Sequence, residues 1–152
     1  MNVSEIMERD VATVRSDDDV ETVVKVMREH ELPGIPVVDA ENRLLGIITE
    51  SDLILREEDA DLHVPFHIEL MGGVVYLGRL KNYDERLKRA VALTAGELMT
   101  RDPVTVGPTD SVRDAAKIIA ERRHNRLPVV EDGGTLAGVV TRLDVLDALT
   151  RE

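Results

Sequence analysis

A stretch of 53 residues occurs twice in this chain, at a constant offset of 92 positions. Laying 2–54 on 94–146 needs no gap and gives 17 identities in 53 positions. Met7-Glu8-Arg9-Asp10 returns as Met99-Thr100-Arg101-Asp102, and Ile35-Pro36-Val37-Val38 returns as Leu127-Pro128-Val129-Val130. Gly46-Ile47-Ile48-Thr49-Glu50-Ser51-Asp52 returns as Gly138-Val139-Val140-Thr141-Arg142-Leu143-Asp144. A unit repeated at a fixed period needs a neighbour to bury its apolar face. Two units related by pseudo-symmetry place a pocket most naturally between them.

Each copy reads as β-α-β-β-α with an extra helical turn in front. Asn2-x-x-Glu5 and Thr94-x-x-Glu97 have capping-box spacing and would start a short helix ending near Met7 or Met99. An extended segment follows, Ala12–Val14 or Val104–Val106, and then Asp18 or Asp110 as the expected N-cap of a longer helix. Val20, Val23, Val24 and Met27 fall at helical spacing, as do Val112, Ala115, Ala116 and Ile119. Two short apolar runs come next, Ile35–Val38 with Leu44–Ile48 and Leu127–Val130 with Leu136–Val140. The connectors Asp39–Arg43 and Glu131–Thr135 carry turn chemistry, so each pair is expected to be a hairpin. A second helix should begin near Glu50 or Arg142. The expected class is therefore α/β (α+β), with repeat 1 at 2–54, an inserted, mainly helical segment at 55–93, and repeat 2 at 94–152. Within the insert, Ile68–Leu80 is apolar and broken by glycine, and a helix is expected from about Tyr83 to Leu93. This segment either covers an edge of the repeat pair or forms a dimer contact.

Composition removes several functions. The chain of 152 residues has room for one ordinary domain, or two very small ones sharing a core. Its net charge of −11 argues against duplex nucleic acid and anionic membrane, whose contacts depend on Lys and Arg. A small anion is still compatible, because screening acts over about 8 Å and local donors dominate. One Phe, two Tyr and no Trp leave little aromatic surface for stacking bases. Without Cys there is no disulfide, thiolate nucleophile or Cys-based zinc site. The absence of an 18-residue apolar run and of an N-terminal apolar region points to a cytoplasmic protein. Neither a Gly-x-Ser-x-Gly elbow nor a Walker-type loop is present, so catalysis lacks its usual machinery and no catalytic residue is assigned.

The chemistry concentrates at the end of the second hairpin strand. Gly46 and Gly138 sit where a missing side chain lets a ligand or another backbone approach closely. Thr49 and Thr141 fall at or beside a helix N-terminus, where free N–H groups and the helix dipole favour a phosphate. Asp52 and Asp144 lie about one turn later on the same face. Such a carboxylate is suited to accepting hydrogen bonds from two ribose hydroxyls, as the acidic residue of dinucleotide folds does. The same Thr-x-x-Asp spacing is also a plain capping pattern, in which Thr caps the helix and Asp steadies its first turn.

Both copies resemble CBS domains, and the tandem pair resembles a Bateman module. The Met-x-x-Asp opening, the Pro-Val-Val strand and the Gly-hydrophobic-hydrophobic-Thr-x-x-Asp exit carry the resemblance. It implies a disc in which the two repeats pack together and leave two clefts, each mixing both repeats. One cleft would join Thr141 and Asp144 to Ala12, Gly34, Ile35 and Pro36. The other would join Thr49 and Asp52 to Val104, Arg126, Leu127 and Pro128. The backbone near Ala12 or Val104 would read the adenine edge, and Ile35/Pro36 or Leu127/Pro128 would supply apolar walls. The resemblance further implies a non-catalytic sensor for an adenosine-containing ligand such as AMP, ADP, ATP or S-adenosylmethionine, with no resident cofactor. Homodimerisation and an effector protein are the implied partners, and energy sensing is the implied biology. A ligand-independent homodimeric assembly protein is the alternative.

The resemblance also implies a basic residue, aimed at phosphate, two positions before the strand proline. That position is Arg126 in the second copy and Gly34 in the first, and Arg123 and His124 stand nearby. The Asp52/Arg126 cleft is accordingly expected to be the more cationic, although Arg142, next to Thr141, leaves that assignment open. His63 and His67 have the i, i+4 spacing of a metal pair, but Pro65 between them disfavours a helix, and no metal ligand is assigned.

Overall fold

The structure is a computed structural model that describes residues 1–53 and 93–151. The Ile68–Leu80 stretch, the His63/His67 pair and all but the last residue of the helix expected from Tyr83 to Leu93 lie outside the described residues.

In the first copy, β1 (Val14–Arg15), α1 (Val20–Glu29), β2 (Gly34–Val38), β3 (Leu44–Thr49) and α2 (Glu50–Leu53) follow in order. In the second copy α3 (Ala95–Leu98) and β4 (Thr100–Arg101) precede α4 (Val112–Arg122), β5 (Arg126–Val130), β6 (Leu136–Thr141) and α5 (Arg142–Arg151). A 3-10 turn at Val3–Glu5 is the counterpart of α3. The expected β-α-β-β-α order is present, and the second helices begin at Glu50 and Arg142.

The N-caps of the long helices differ by one position from the sequence expectation. Asp19, not Asp18, caps α1 by accepting from the Thr22 N–H at 2.7 Å, and Ser111, not Asp110, caps α4 by accepting from the Asp114 N–H at 3.1 Å. Asp18 and Asp110 serve the preceding turns instead, accepting from the N–H of Arg15 at 2.8 Å and of Gly107 at 2.7 Å. An aspartate three residues past a free N–H closes a turn as readily as it opens a helix, and spacing alone does not separate the two. The Thr22 backbone N–H, and after it the Thr22 hydroxyl, holds the Asp19 carboxyl below the usual carboxylate range. Ser111→Ala is expected to cost about 0.5–2 kcal/mol of stability, read as a lower urea midpoint with unchanged slope.

The chain forms two compact units, and these cut across the repeats. The first comprises Met1–Val11, Val38–Leu44 and Asp102–Glu152, and the second Ala12–Val37 and Leu45–Arg101. The opening residues of each copy therefore pack in the unit built mainly from the other copy.

In the second unit the strands run in the order β1-β2-β3-β4, with Gly46 opposite Arg101 and Ile47 opposite Thr100. Its core holds Val14, Val20, Val23, Met27, Ile35 and Ile48, among others. The apolar stripe read from α1 is thus the buried one, with Val24 packed at its margin. In the first unit β5 pairs antiparallel with β6, Leu127 opposite Val140 and Val129 opposite Gly138. Val106 joins Val129 in parallel on one side, and Glu8 joins Val139 antiparallel on the other. The Glu8–Val139 bridge is reciprocal, each N–H donating to the other's carbonyl at 2.9 Å. Both units therefore follow one strand plan, with an opening segment as the fourth strand. The first unit's core holds Val3, Met7, Ile119, Leu127, Val140 and Val145, among others.

The hairpin turns are built for left-handed backbone. Asn42 has φ 62° and Gly134, its repeat counterpart, has φ 91°. Within the first unit the Asp39–Arg43 turn meets the Gly134–Leu136 turn. Leu44 N–H donates to the Gly134 carbonyl and Leu136 N–H to the Asn42 carbonyl, both at 2.9 Å.

Candidate functional site

The two Thr-x-x-Asp exits are built alike, one in each unit. In the second unit the Asp52 Oδ2 accepts from the Thr49 N–H at 2.9 Å and from the Thr49 hydroxyl at 3.2 Å. In the first unit the Asp144 Oδ2 accepts from the Thr141 N–H at 2.8 Å and from the Thr141 hydroxyl at 2.7 Å. There the Asp144 N–H also donates back to the Thr141 hydroxyl at 3.2 Å, completing a reciprocal capping box. The capping reading of the motif is therefore realised.

The cap uses only one carboxylate oxygen. Among the described residues no hydrogen bond is made to Oδ1 of Asp52 or Asp144. Asp52 and Asp144 are half-buried, and the cap holds their side chains in place. An ionised carboxylate oxygen can accept two further hydrogen bonds, which matches the two adjacent hydroxyls of a ribose. Capping thus occupies one oxygen of each side chain, and among the described residues the other makes no hydrogen bond.

The strand beside each exit is set by the hairpin ladder. Arg126 is the ladder partner of Thr141. The Arg142 N–H donates to the Asn125 carbonyl at 2.9 Å, which makes Arg126/Thr141 a pair without direct backbone bonds and brings the two side chains close. The matching bond in the second unit runs from the Glu50 N–H to the Pro33 carbonyl at 3.1 Å, with Gly34 beside Thr49. An ideal Cβ on Gly34 would lie 3.5 Å from the Thr49 Cγ2. Sequence reasoning did not foresee Pro33 and Asn125 as the carbonyls that close each exit, since a backbone acceptor leaves no mark on residue type.

The other expected residues divide between surface and core. Ala12 and Val104 are half-buried, packed against the core of the second and first unit respectively. Ile35 and Leu127 are each 1% exposed and belong to those cores, and Pro36 and Pro128 are buried beside them. The expected groupings of Thr141 and Asp144 with Gly34, and of Thr49 and Asp52 with Arg126, join residues of different units. Within one unit, Arg126 stands beside Thr141.

Gly46 and Gly138 have a structural occupant. An ideal Cβ on Gly46 would lie 2.6 Å from the Thr100 carbonyl oxygen and 2.8 Å from the Met99 sulfur. On Gly138 it would run into the Glu8 carbonyl oxygen, with the Met7 sulfur 3.1 Å away. Of the two reasons for a strand glycine, close backbone approach is the one present here. Among the described residues no three His, Asp or Glu side chains converge to hold a metal ion. No helix among them is long and apolar enough to cross a membrane.

Comparison with known proteins shows the family and the fold. The CBS domain family model matches twice, at residues 3–59 and 95–151. An uncharacterized protein of Methanocaldococcus jannaschii is 32% identical over 98% of this chain and 91% of its own length. The inosine-5'-monophosphate dehydrogenase of Korarchaeum cryptofilum is 33% identical over 90% of this chain, but the match spans only 22% of that enzyme. The crystal structure of the CBS-pair protein CBSX2 from Arabidopsis thaliana superposes with a TM-score of 0.74 at 25% identity, covering 99% of this chain and 94% of that one. CBSX2 has also been solved in complex with AMP, with a TM-score of 0.72 at 24% identity and coverage of 99% and 96%. Two family matches, one strand plan used twice and a repeated Thr-x-x-Asp exit lead to one conclusion: the chain belongs to the CBS domain family, as a tandem CBS pair.

Proposed function

We propose that this protein is a non-catalytic regulatory module that binds an adenosine-containing ligand, its ribose held by the capped aspartate of a Thr-x-x-Asp exit. The observation that carries the reading is at Asp52 and Asp144, where Oδ2 serves the cap and, among the described residues, Oδ1 accepts no hydrogen bond. The AMP complex of CBSX2 supports an adenine nucleotide as the ligand class. Helix N-termini immediately beyond Thr49 and Thr141 suit a ligand that also bears phosphate. Regulation follows from differential affinity: a ligand that binds one arrangement of the chain better shifts the population toward it, and a partner reads the change.

The test uses a substitution that spares the cap. Asp144→Asn and Asp52→Asn keep one oxygen for the Thr N–H and replace the ligand-facing oxygen by an amide donor. Wild-type protein is expected to melt at a higher temperature with AMP, ADP, ATP or S-adenosylmethionine. A ligand at one hundred times its Kd stabilises by about 2.7 kcal/mol. The Asn variants should melt near the wild type alone and lose most of the ligand-dependent rise. An undiminished rise in both variants would refute the ribose role.

One observation favours a second reading, a ligand-independent assembly protein. Leu143, Leu146 and Leu149 on α5 are 66%, 50% and 37% exposed, an apolar stripe that a partner surface would cover. Self-association unchanged by any adenosine compound, with no shift in melting, would support that reading over the sensor.

A further inference from the structure

We propose that Met99 is a site of reversible oxidation by peroxide, and that its sulfoxide releases β4 from β3. The inference goes beyond the adenosine reading and is independent of which ligand the exits hold. With no Cys in the chain, five methionines carry all of its sulfur. Two of them, Met7 and Met99, hold repeat-equivalent places against Gly138 and Gly46. The two seats differ in access. Met7 is 9% exposed and lies within the core of the first unit, whereas Met99 is half-buried at the margin of the second unit's core. Met27 is 1% exposed and so is shielded from a dissolved oxidant. Met1 is exposed but belongs to neither core, so its oxidation disturbs no packing there.

What Met99 holds in place makes the site consequential. A Cβ on Gly46 would lie 2.8 Å from the Met99 sulfur and 2.9 Å from its Cγ, so the thioether rests on the bare face of that glycine. The next two residues, Thr100 and Arg101, are the whole of β4, are both exposed, and pair with Ile47 and Gly46. An edge strand this short has few ladder bonds of its own, so packing at its start decides whether it stays closed. The preceding α3 is anchored separately, through buried Ala95 and through the N–H groups of Ala95 and Gly96, which donate to the Asp18 and Ser16 carbonyls at 2.8 and 2.9 Å. Loosening at Met99 is therefore confined to β4. In the reaction the sulfur lone pair attacks the peroxide, the O–O bond breaks, an S–O bond forms and the second oxygen leaves as water. Sulfur is oxidised by two electrons and the peroxide is reduced by two. Two thiols supplied from outside the chain reverse the step, becoming a disulfide as the oxygen departs in water. The sulfoxide is bulkier and polar, and a polar oxygen buried without a donor is costly, so the side chain turns to water and leaves Gly46.

The experiment treats the full chain with hydrogen peroxide and follows each methionine by peptide mass spectrometry, with amide hydrogen exchange as the structural readout. Met99 is expected to oxidise about tenfold faster than Met7 or Met27, following access to the sulfur. Exchange at Gly46–Ile47 and Thr100–Arg101 should then speed by about tenfold, while Val112–Arg122 changes by less than about twofold. Methionine sulfoxide reductase with a dithiol should restore the slow exchange, a control that needs no substitution. Met99→Leu fills the seat without an oxidisable sulfur, and its exchange at these positions should ignore peroxide. Met99→Gln, which brings a polar group to the same place, should speed them without peroxide. Met99 oxidising no faster than Met27, exchange unmoved once Met99 is oxidised, or a peroxide effect that persists in Met99→Leu would each overturn the inference.

Discussion

Gly138→Ala is expected to destabilise the first unit by about 1–3 kcal/mol or more, because its methyl has nowhere to go. The added Cβ would overlap the backbone carbonyl of Glu8, which cannot swing aside as a flexible side chain could. Glu8 is held there by reciprocal 2.9 Å bonds with Val139, so relief of the clash means breaking the edge bridge. The opening segment, with Val3 and Met7 in the core of the same unit, would be loosened with it. Gly46→Ala should behave similarly in the second unit, against Thr100 and Met99. Gly133→Ala is the control, since among the described residues, its chain neighbours aside, no atom lies within 4 Å of its Cβ position. Urea unfolding of the three variants checks the expectation. Equal midpoints for Gly138→Ala and Gly133→Ala would show that the opening segment is not packed as described.

Leu127→Ala is expected to have the other large effect, about 2–5 kcal/mol lost, as for a leucine removed from a filled core. Leu127 is 1% exposed and sits among Val129, Val140, Val145 and Ile119. Truncation leaves a cavity that these neighbours fill only in part. The size of the loss also distinguishes two roles, because a leucine lining an open ligand wall gives up less apolar burial when cut back. A loss below about 1 kcal/mol, with ligand affinity reduced instead, would mark Leu127 as a wall and contradict its place in the core.

These cases show what the sequence made legible and where it stopped. The β-α-β-β-α order and the helix starts at Glu50 and Arg142 were readable because apolar period and capping residues mark them locally. The pairing of Met7–Glu8 with Gly138, and of Met99–Thr100 with Gly46, was not readable. Each opening segment packs far along the chain from its own copy, and a glycine in a strand does not say which backbone approaches it. The caps at Asp19 and Ser111 were missed by one position, because Asp18 and Asp110 serve the turn immediately before. The Thr-x-x-Asp motif was legible as a position but open as a role. Among the described residues the cap uses one carboxylate oxygen and no hydrogen bond is made to the other, which no spacing argument reveals. Ile35 and Leu127, the expected apolar walls, are each 1% exposed and belong to the cores of their units.

The central claim is that the sugar of an adenosine-containing ligand is bound by the free oxygen of a capped aspartate. Crystals of the full chain grown with millimolar AMP test it most directly. The account predicts ribose hydroxyls within hydrogen-bond distance of Oδ1 of Asp144 or Asp52, with the Thr141 or Thr49 cap to Oδ2 intact. AMP bound with its ribose away from both aspartates, or both exits closed over by the protein's own side chains at that concentration, would contradict it.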